Sequence, residues 1–154
     1  MNARAALHKA ALRAVGAGQR LLAALSRDEL PPFACVAAVI ERDGALLLLD
    51  RADGTGLSLP GGYARLGEQP AHAVVREVRE ETGYHVQVVA LLDALADTTS
   101  RVRSINVVYA CKIVGGALRA SHEGTPRWED PRPHPERLLP VTRRTLERLG
   151  FLPA

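Results

Sequence analysis

The chain contains 154 residues, 47% of them hydrophobic and 24% charged, and carries a formal net charge of +3. This length fits one globular domain. No apolar run approaches the roughly 20 residues that cross a bilayer, which argues against a membrane-spanning protein, and the scattered arginines form no basic stripe, which argues against nucleic-acid binding.

The first 30 residues differ in character from the rest. Apolar positions alternate with Arg and Lys between residues 3 and 25, which predicts one or two short amphipathic helices, interrupted at Gly16 and Gly18. Pro31 and Pro32 then prevent a helix from continuing. We therefore predict an N-terminal helical extension over residues 1–30 and a separate domain over residues 31–154.

The remaining chain alternates between strand and helix patterns. Residues 33–41 and 45–49 are apolar runs separated by Asp43 and Gly44, which predicts a β-hairpin. Pro70 begins a helix that ends near Thr82, and Gly83 closes it. Strands are predicted at 85–95 and 102–114, followed by a polar, proline-rich stretch at 121–135 and an amphipathic helix at 141–149. The order predicts an α+β fold.

Two cysteines, Cys35 and Cys111, lie within apolar segments, where free thiols usually behave as small hydrophobic residues. The sequence shows no zinc-ligand spacing and no secretory signal. We therefore predict reduced thiols and a cytoplasmic location.

Three glutamates, Glu77, Glu80 and Glu81, fall within an arc of roughly 100° on the central helix. Like charges this close repel one another unless a cation lies among them. Carboxylate oxygens suit Mg²⁺ or Mn²⁺, and glycines at 61 and 62 allow the backbone to approach such a site. The alternative is a solvated helix face on which Glu and Arg alternate.

The wider spacing resembles the Nudix box. The pattern is glycine, five residues, glutamate, seven residues, Arg-Glu-hydrophobic, one residue, Glu-Glu, one residue, glycine and a hydrophobic residue, and it is matched by Gly62, Glu68, Arg76, Glu77, Val78, Glu80, Glu81, Gly83 and Tyr84. Tyr84 departs mildly from the aliphatic residue usual there. The resemblance implies a Nudix-type αβα sandwich with a central mixed β-sheet.

The resemblance also implies roles for individual residues. Glu77, Glu80 and Glu81 are expected as catalytic metal ligands, with Arg76 orienting a glutamate and Glu77 as the candidate base, although the identity of the base stays open. The remaining assignments are Gly62 and Glu123 as further metal ligands, Trp128 and Arg51 as substrate-binding residues, and Glu68, Gly61 and Gly83 as structural or outer-shell residues. Asp97 is a rival to Glu123, and Trp128 is alternatively a core residue.

The implied activity is hydrolysis of a diphosphate bond in a nucleoside diphosphate linked to another moiety, or in a nucleoside triphosphate, with Mg²⁺ or Mn²⁺ as cofactor. The main alternative is a non-catalytic Nudix-fold ligand-binding or regulatory module. A Nudix-fold isomerase acting on isopentenyl diphosphate is a weaker alternative, because this sequence shows no matching cysteine and glutamate chemistry. Signatures for coenzyme A and NADH are absent, and Thr98 and Thr99 stand where ADP-ribose enzymes tend to carry proline. The expected partner is a small nucleotide-like diphosphate, without nucleic acid or stable membrane anchoring, and a homodimer is left open.

Overall fold

A computed structural model describes residues 3–25, 32–97 and 102–153 of the chain. The predicted boundary at residue 30 and the pair Thr98 and Thr99 lie outside the described residues. Within them, no helix is long and apolar enough to cross a membrane.

The described residues form three α-helices, eight strands and a short 3-10 helix. In chain order these are α1 (Ala3–Leu25), β1 (Phe33–Val39), β2 (Glu41–Arg42), β3 (Ala45–Arg51), β4 (Leu57–Ser58), β5 (Gly61–Tyr63), α2 (Pro70–Thr82), β6 (Tyr84–Asp97), β7 (Ser104–Gly116), β8 (Gly124–Glu129), the 3-10 helix (Pro135–Arg137) and α3 (Pro140–Arg148). The predicted central helix, two long strands and terminal helix are all present, with ends shifted by a few residues. The predicted hairpin is limited to β2 and β3, because β1 pairs with β5 and β7 in the other sheet.

The strands form two four-stranded sheets. In the first, β1 lies between β5 and β7, and β6 is at the edge; β1 pairs with β7 in parallel and the other pairs are antiparallel. In the second, β3 pairs antiparallel with β2, β4 and β8. The first sheet is therefore mixed, as predicted, although the strands divide between two sheets.

The helices α2 and α3 cover opposite faces of the strands. Because side chains alternate along a strand, Val36 of β1 packs with Val74 of α2 on one face, whereas Ala37 packs with Leu146 of α3 on the other. All four are buried. This αβα sandwich confirms the predicted fold class.

The structure adds detail to the sequence analysis at two elements. The N-terminal helix is continuous through Gly16 and Gly18, because each glycine costs only about 1 kcal/mol relative to alanine. The polar, proline-rich stretch 121–135, to which sequence analysis assigned no element, contains β8. Pro126 made this strand difficult to predict from the sequence. The proline is tolerated because β8 lies at the edge of its sheet, where one side of the strand needs no backbone hydrogen-bond partner.

Candidate active site

Helix α2 is positioned by its two ends. It begins with Pro70 after Gln69, whose side chain makes no capping hydrogen bond. It ends at Gly83, which has a left-handed φ of 78° and donates its N–H to the Arg79 carbonyl. A Cβ at Gly83 would lie 2.4 Å from the Ala117 carbonyl oxygen, so only glycine fits. These ends fix which face of α2 meets β5.

Strand β5 brings main chain directly against the glutamates of α2. Gly61 has a φ of 156°, and a Cβ there would lie 2.0 Å from the Val36 carbonyl oxygen. A Cβ at Gly62 would lie 2.8 Å from the Glu77 carboxyl carbon. The Gly61 N–H donates to Glu81 Oε2 at 2.7 Å. Close packing against backbone therefore requires glycine at 61, whereas a Cβ at residue 62 would displace the Glu77 carboxyl group. Both glycines leave the carboxylates facing backbone.

Glu77 and Glu81 form a buried acidic pair to which Glu123 adds a third charge. Glu77 is 8% exposed and Glu81 2% exposed. Burial, together with the charges of Glu123 and Glu77, raises the pKa of Glu81 to about 8. Burial is also the main cause of the raised pKa of Glu77, which Arg76 opposes and the charges of Glu80 and Glu123 reinforce.

This acidic pair fits the chemistry of a divalent cation. Two buried carboxylates with raised pKa values are stabilised when a positive ion lies beside them, and hard oxygen ligands suit Mg²⁺ or Mn²⁺. The glycine backbone leaves room where a side chain at Gly62 would overlap Glu77. In the arrangement described for residues 3–25, 32–97 and 102–153, no three His, Cys, Asp or Glu side chains already form a metal-binding group.

Arg76 holds the opposite side of the site. Its Nε and Nη2 donate to the two oxygens of Glu68 at 2.9 and 2.8 Å, and its Nη1 donates to Glu77 at 2.7 Å. Glu68 also accepts the Arg65 N–H at 2.9 Å. The side-chain hydrogen bond to Arg76 is the largest cause lowering the pKa of Glu68 to about 2. Glu68 thus ties the loop before α2 to the helix.

Glu80 stands apart from the buried pair. Its side chain is 51% exposed and pairs with Arg65 at 3.2 Å and with Arg76 at 3.4 Å. The structure therefore buries Glu77 and Glu81 together, whereas the side chains of Glu80 and Glu123 are 51% and 44% exposed and act on Glu77 through their charges. Of the two rival acids, Glu123 acts on both Glu77 and Glu81 through its charge.

A cavity of about 200 Å³ adjoins the glycines on the α3 side of the sheet. Arg51 lines it, as do Gly61 and Gly62. Arg51 also pairs with Asp53 at 3.4 Å, and its charge acts to lower the pKa of Glu81. Of the two residues predicted to bind substrate, Arg51 therefore lies at the cavity and close to the acidic pair.

The cavity also contains two polar residues that sequence analysis did not identify, Ser104 and Asn106. Ser104 is buried in its wall together with Asp97, the predicted rival to Glu123, and Cys35 lies beside them. A side-chain hydrogen bond joins Cys35 to Ser104, and burial raises the pKa of Cys35. Ser104 and Asn106 are two residues apart on an otherwise apolar strand, so they face the same side. That spacing was the available signal.

Trp128 lies away from this cavity. It pairs across the sheet with Leu47 and packs on the α2 side. Its ring centroid is 6.4 Å from that of Tyr84, and the Arg42 guanidinium carbon lies 4.2 Å above its ring. These contacts agree with the alternative interpretation of Trp128 as a core residue.

Comparison with known proteins supports the same fold and family. A model of the NUDIX domain matches residues 30–148. A MutT-like protein from Streptomyces ambofaciens is 39% identical over 115 residues, which cover 72% of this chain and 73% of the relative. An ADP-ribose pyrophosphatase from Methanocaldococcus jannaschii is 35% identical over 99 residues, which cover 61% of this chain and 59% of the relative.

Among solved structures, a NUDIX hydrolase from Nitrosomonas europaea superposes with a TM-score of 0.69 at 24% identity, covering 77% of this chain and 88% of that one. At that identity the likeness concerns the fold alone. The family match spans most of the chain and includes every residue of the box between Gly62 and Tyr84. The chain therefore belongs to the Nudix family of hydrolases, as the sequence predicted.

Proposed function

We propose that this protein is a divalent-metal-dependent enzyme that hydrolyses a diphosphate bond in a nucleoside diphosphate linked to another moiety, or in a nucleoside triphosphate. The observation that carries the proposal is the buried pair Glu77 and Glu81, which faces the backbone of Gly61 and Gly62 at the wall of the cavity. A diphosphate in that cavity would lie beside acids that favour a cation.

The metal-binding residues we propose are Glu77, Glu80, Glu81 and Glu123, with the Gly62 carbonyl as a backbone ligand. Glu80 would turn from Arg65 toward the buried pair, which is inexpensive because its ion pairs are exposed. A bound Mg²⁺ or Mn²⁺ would neutralise phosphate charge and lower the pKa of a water nucleophile.

The chain's own residues would orient the reacting groups and accept the proton of the attacking water. Arg76 is hydrogen-bonded to Glu77 and is itself held by both oxygens of Glu68, so it would fix the Glu77 carboxylate in one orientation. Glu77 is our candidate for the base that accepts the proton of the attacking water. Arg51, at the cavity, would contact a phosphate oxygen and orient the diphosphate.

The substrate class rests on the relatives and on the cavity. One relative carries the name ADP-ribose pyrophosphatase, so ADP-ribose is the first compound to test here. The polar wall formed by Asp97, Ser104 and Asn106 offers hydrogen-bond partners to a base or a sugar.

Cytoplasmic location and a domain boundary near residue 30 also remain part of the proposal, and the start of the family match at residue 30 supports that boundary.

The test is product formation, followed by mass spectrometry, from ADP-ribose, nucleotide sugars, CDP-alcohols, dinucleotides and nucleoside triphosphates, with Mg²⁺, with Mn²⁺ and with chelator. We expect one class to be cleaved at its diphosphate only when metal is present. The matched variants are Glu81→Gln, which should be inactive, and Glu41→Gln at an exposed position outside the site, which should be fully active.

A folded protein that binds metal and cleaves none of these compounds would contradict the proposal. That result would favour the alternative of a ligand-binding Nudix module. Equal activity in Glu81→Gln and Glu41→Gln would show instead that catalysis does not depend on the buried pair.

A further inference from the structure

Helix α1 is joined to the start of β7 by the side chain of Gln19. The Gln19 Nε2 donates to the Arg103 carbonyl at 3.0 Å, and the Gln19 Oε1 accepts the Arg103 N–H at 2.8 Å. Gly16 and Ala23, three residues before Gln19 and four residues after it, are buried, so they lie on the same covered face of the helix. One amide side chain therefore binds both backbone groups of Arg103.

Arg103 lies where the ends of two strands meet α1. It immediately precedes β7, and its carbonyl also accepts the N–H of Phe33, the first residue of β1, at 3.1 Å. A carbonyl oxygen has two lone pairs, so it can accept from Phe33 and Gln19 at the same time. The hydrogen bonds of Gln19 therefore fix the backbone at the point where β7 enters the sheet beside β1.

The next residue, Ser104, belongs to the wall of the cavity. It lies in register with Phe33 on one side and with Asp97 on the other, and its side chain is hydrogen-bonded to Cys35. Ser104 and Asp97 are both buried, and both line the cavity. A shift of the Arg103 backbone would therefore displace Ser104 and change the hydrogen-bonding groups that the cavity presents.

Gln19 lies outside the segment that matches the NUDIX domain, which begins at residue 30. We propose that Gln19 is a positioning residue for substrate binding, which holds the start of β7 so that Ser104 and Asp97 form the polar wall for the base or sugar of the substrate. This proposal rests on the hydrolase function proposed above. Helix α1 would then contribute to substrate selection without contacting the substrate.

The first test is steady-state kinetics of Gln19→Leu, which keeps the approximate size of the side chain and removes both hydrogen bonds. The substrates are ADP-ribose and every other compound named above that wild type cleaves. We expect KM to rise roughly 3- to 10-fold while kcat stays within about twofold, because the wall moves and the acids of α2 do not. A role in stability alone would lower Tm and leave KM unchanged.

Two further variants sharpen this test. Gln19→Glu keeps an oxygen that accepts the Arg103 N–H but has no donor for the carbonyl when it is ionised, so its KM should lie between those of wild type and Gln19→Leu. Gln87→Leu is the matched control, because it makes the same chemical change at an exposed position of β6. The control should have the KM of wild type.

The second test does not depend on catalysis. Amide hydrogen exchange followed by NMR should show the Arg103 N–H exchanging at least about tenfold faster in Gln19→Leu than in wild type, because its acceptor is lost. The Val108 amide, at a buried position of the same strand, should exchange at the same rate in both chains. That equality would verify that the sheet stays folded.

Two outcomes would overturn the proposal. They are an active wild type whose KM is shared by Gln19→Leu and Gln19→Glu, and an Arg103 amide that exchanges equally fast in wild type and Gln19→Leu. A wild-type chain that cleaves none of the compounds would contradict the proposed hydrolase function, and the effect on KM with it. The behaviour of wild type alone therefore distinguishes the two failures.

Discussion

Glu68 and Glu81 belong to the same 23-residue motif, yet their surroundings act in opposite directions. Arg76 forms two hydrogen bonds with Glu68, and the pKa of Glu68 falls to about 2. Glu81 is buried among other acids, and its pKa rises to about 8. One carboxylate is therefore neutralised by the protein itself, whereas the other is left in need of a positive charge.

This difference indicates that the two sides of the motif have different roles. On the side of α2 near Glu68, Arg76 already satisfies the carboxylate without a ligand. The role of this side is therefore to hold the loop before the helix. The side near Glu81 keeps like charges together at a cost in stability, which is expected where binding or catalysis requires it. Substitutions on the two sides should therefore change stability and activity in different proportions.

The largest effect is expected for Glu81→Gln, which keeps the acceptor for the Gly61 N–H but removes the charge. Activity should fall by at least about 100-fold, because a metal ligand is lost. In chelator, the variant should instead be more stable than wild type by roughly 2–5 kcal/mol at pH 8. Enzyme assays and denaturant unfolding with EDTA would measure both quantities.

The sign of that stability change follows from the raised pKa. In wild type, the stability linked to protonated Glu81 is fully present below its ordinary value of 4.5 and is lost as the pH rises toward about 8. Glu81→Gln should remove this decline between pH 4.5 and 8. A variant that is less stable than wild type throughout the range would contradict the account of a strained buried charge.

The next effect is expected for Arg76→Lys, which keeps the charge but not the planar group that reaches Glu68 and Glu77 together. We expect a loss of about 2 kcal/mol in unfolding free energy and a decrease of roughly 10- to 100-fold in kcat/KM. Arg79→Lys, on the same helix, is the matched control and should behave as wild type. Equal effects of both changes would mean that Arg76 contributes only charge.

A smaller effect is expected for Arg51→Ala, because Arg51 is the cation at the cavity that acts on Glu81. We expect KM to rise about tenfold with a smaller change in kcat. Trp128→Phe, on the α2 side of the sheet, should leave KM unchanged while lowering stability. A raised KM in Trp128→Phe would restore Trp128 as a substrate-binding residue.

The smallest effect is expected for Glu68→Gln, and it should depend on pH. Because its pKa is lowered from 4.5 to about 2, the stabilisation from Glu68 is present above pH 4.5 and is lost as the pH falls toward 2. The difference in Tm between wild type and Glu68→Gln should therefore shrink over that interval. A constant difference would show that the loop is held by contacts other than the Arg76 pair.

Sequence analysis identified the motif and the major elements because both rest on local spacing. The ends of α2 are set by Pro70 and Gly83, and both are visible in the sequence. The β8 strand was missed because its pairing with β3 depends on residues far apart in the chain, and Pro126 argued against it. Trp128 faces α2 because of the same pairing, so its side of the sheet could not be predicted.

The residues of the candidate site were predicted more completely than their arrangement in space. Helical spacing placed Glu77, Glu80 and Glu81 on neighbouring positions, but their burial depends on how α2 meets β5. Glu80 and Glu81 lie at the two ends of the 100° arc, and their exposure differs accordingly, from 2% for Glu81 to 51% for the Glu80 side chain. The cavity joins β1, β6, β7 and α3, a combination that no local pattern encodes.

The backbone of Gly61 and Gly62 lies between the acids of α2 and the cavity, so substitutions in the cavity and substitutions in the box should have separate effects. Because main chain fills the space between the acids and the cavity, residues such as Ser104 and Asn106 can vary without any side chain being pushed into Glu77 or Glu81. An engineer seeking a new substrate would accordingly randomise β7 and leave the box untouched. Gly62→Ala would push a methyl group into the Glu77 carboxyl group. It should therefore lower activity in every such redesign, whichever substrate the cavity accepts.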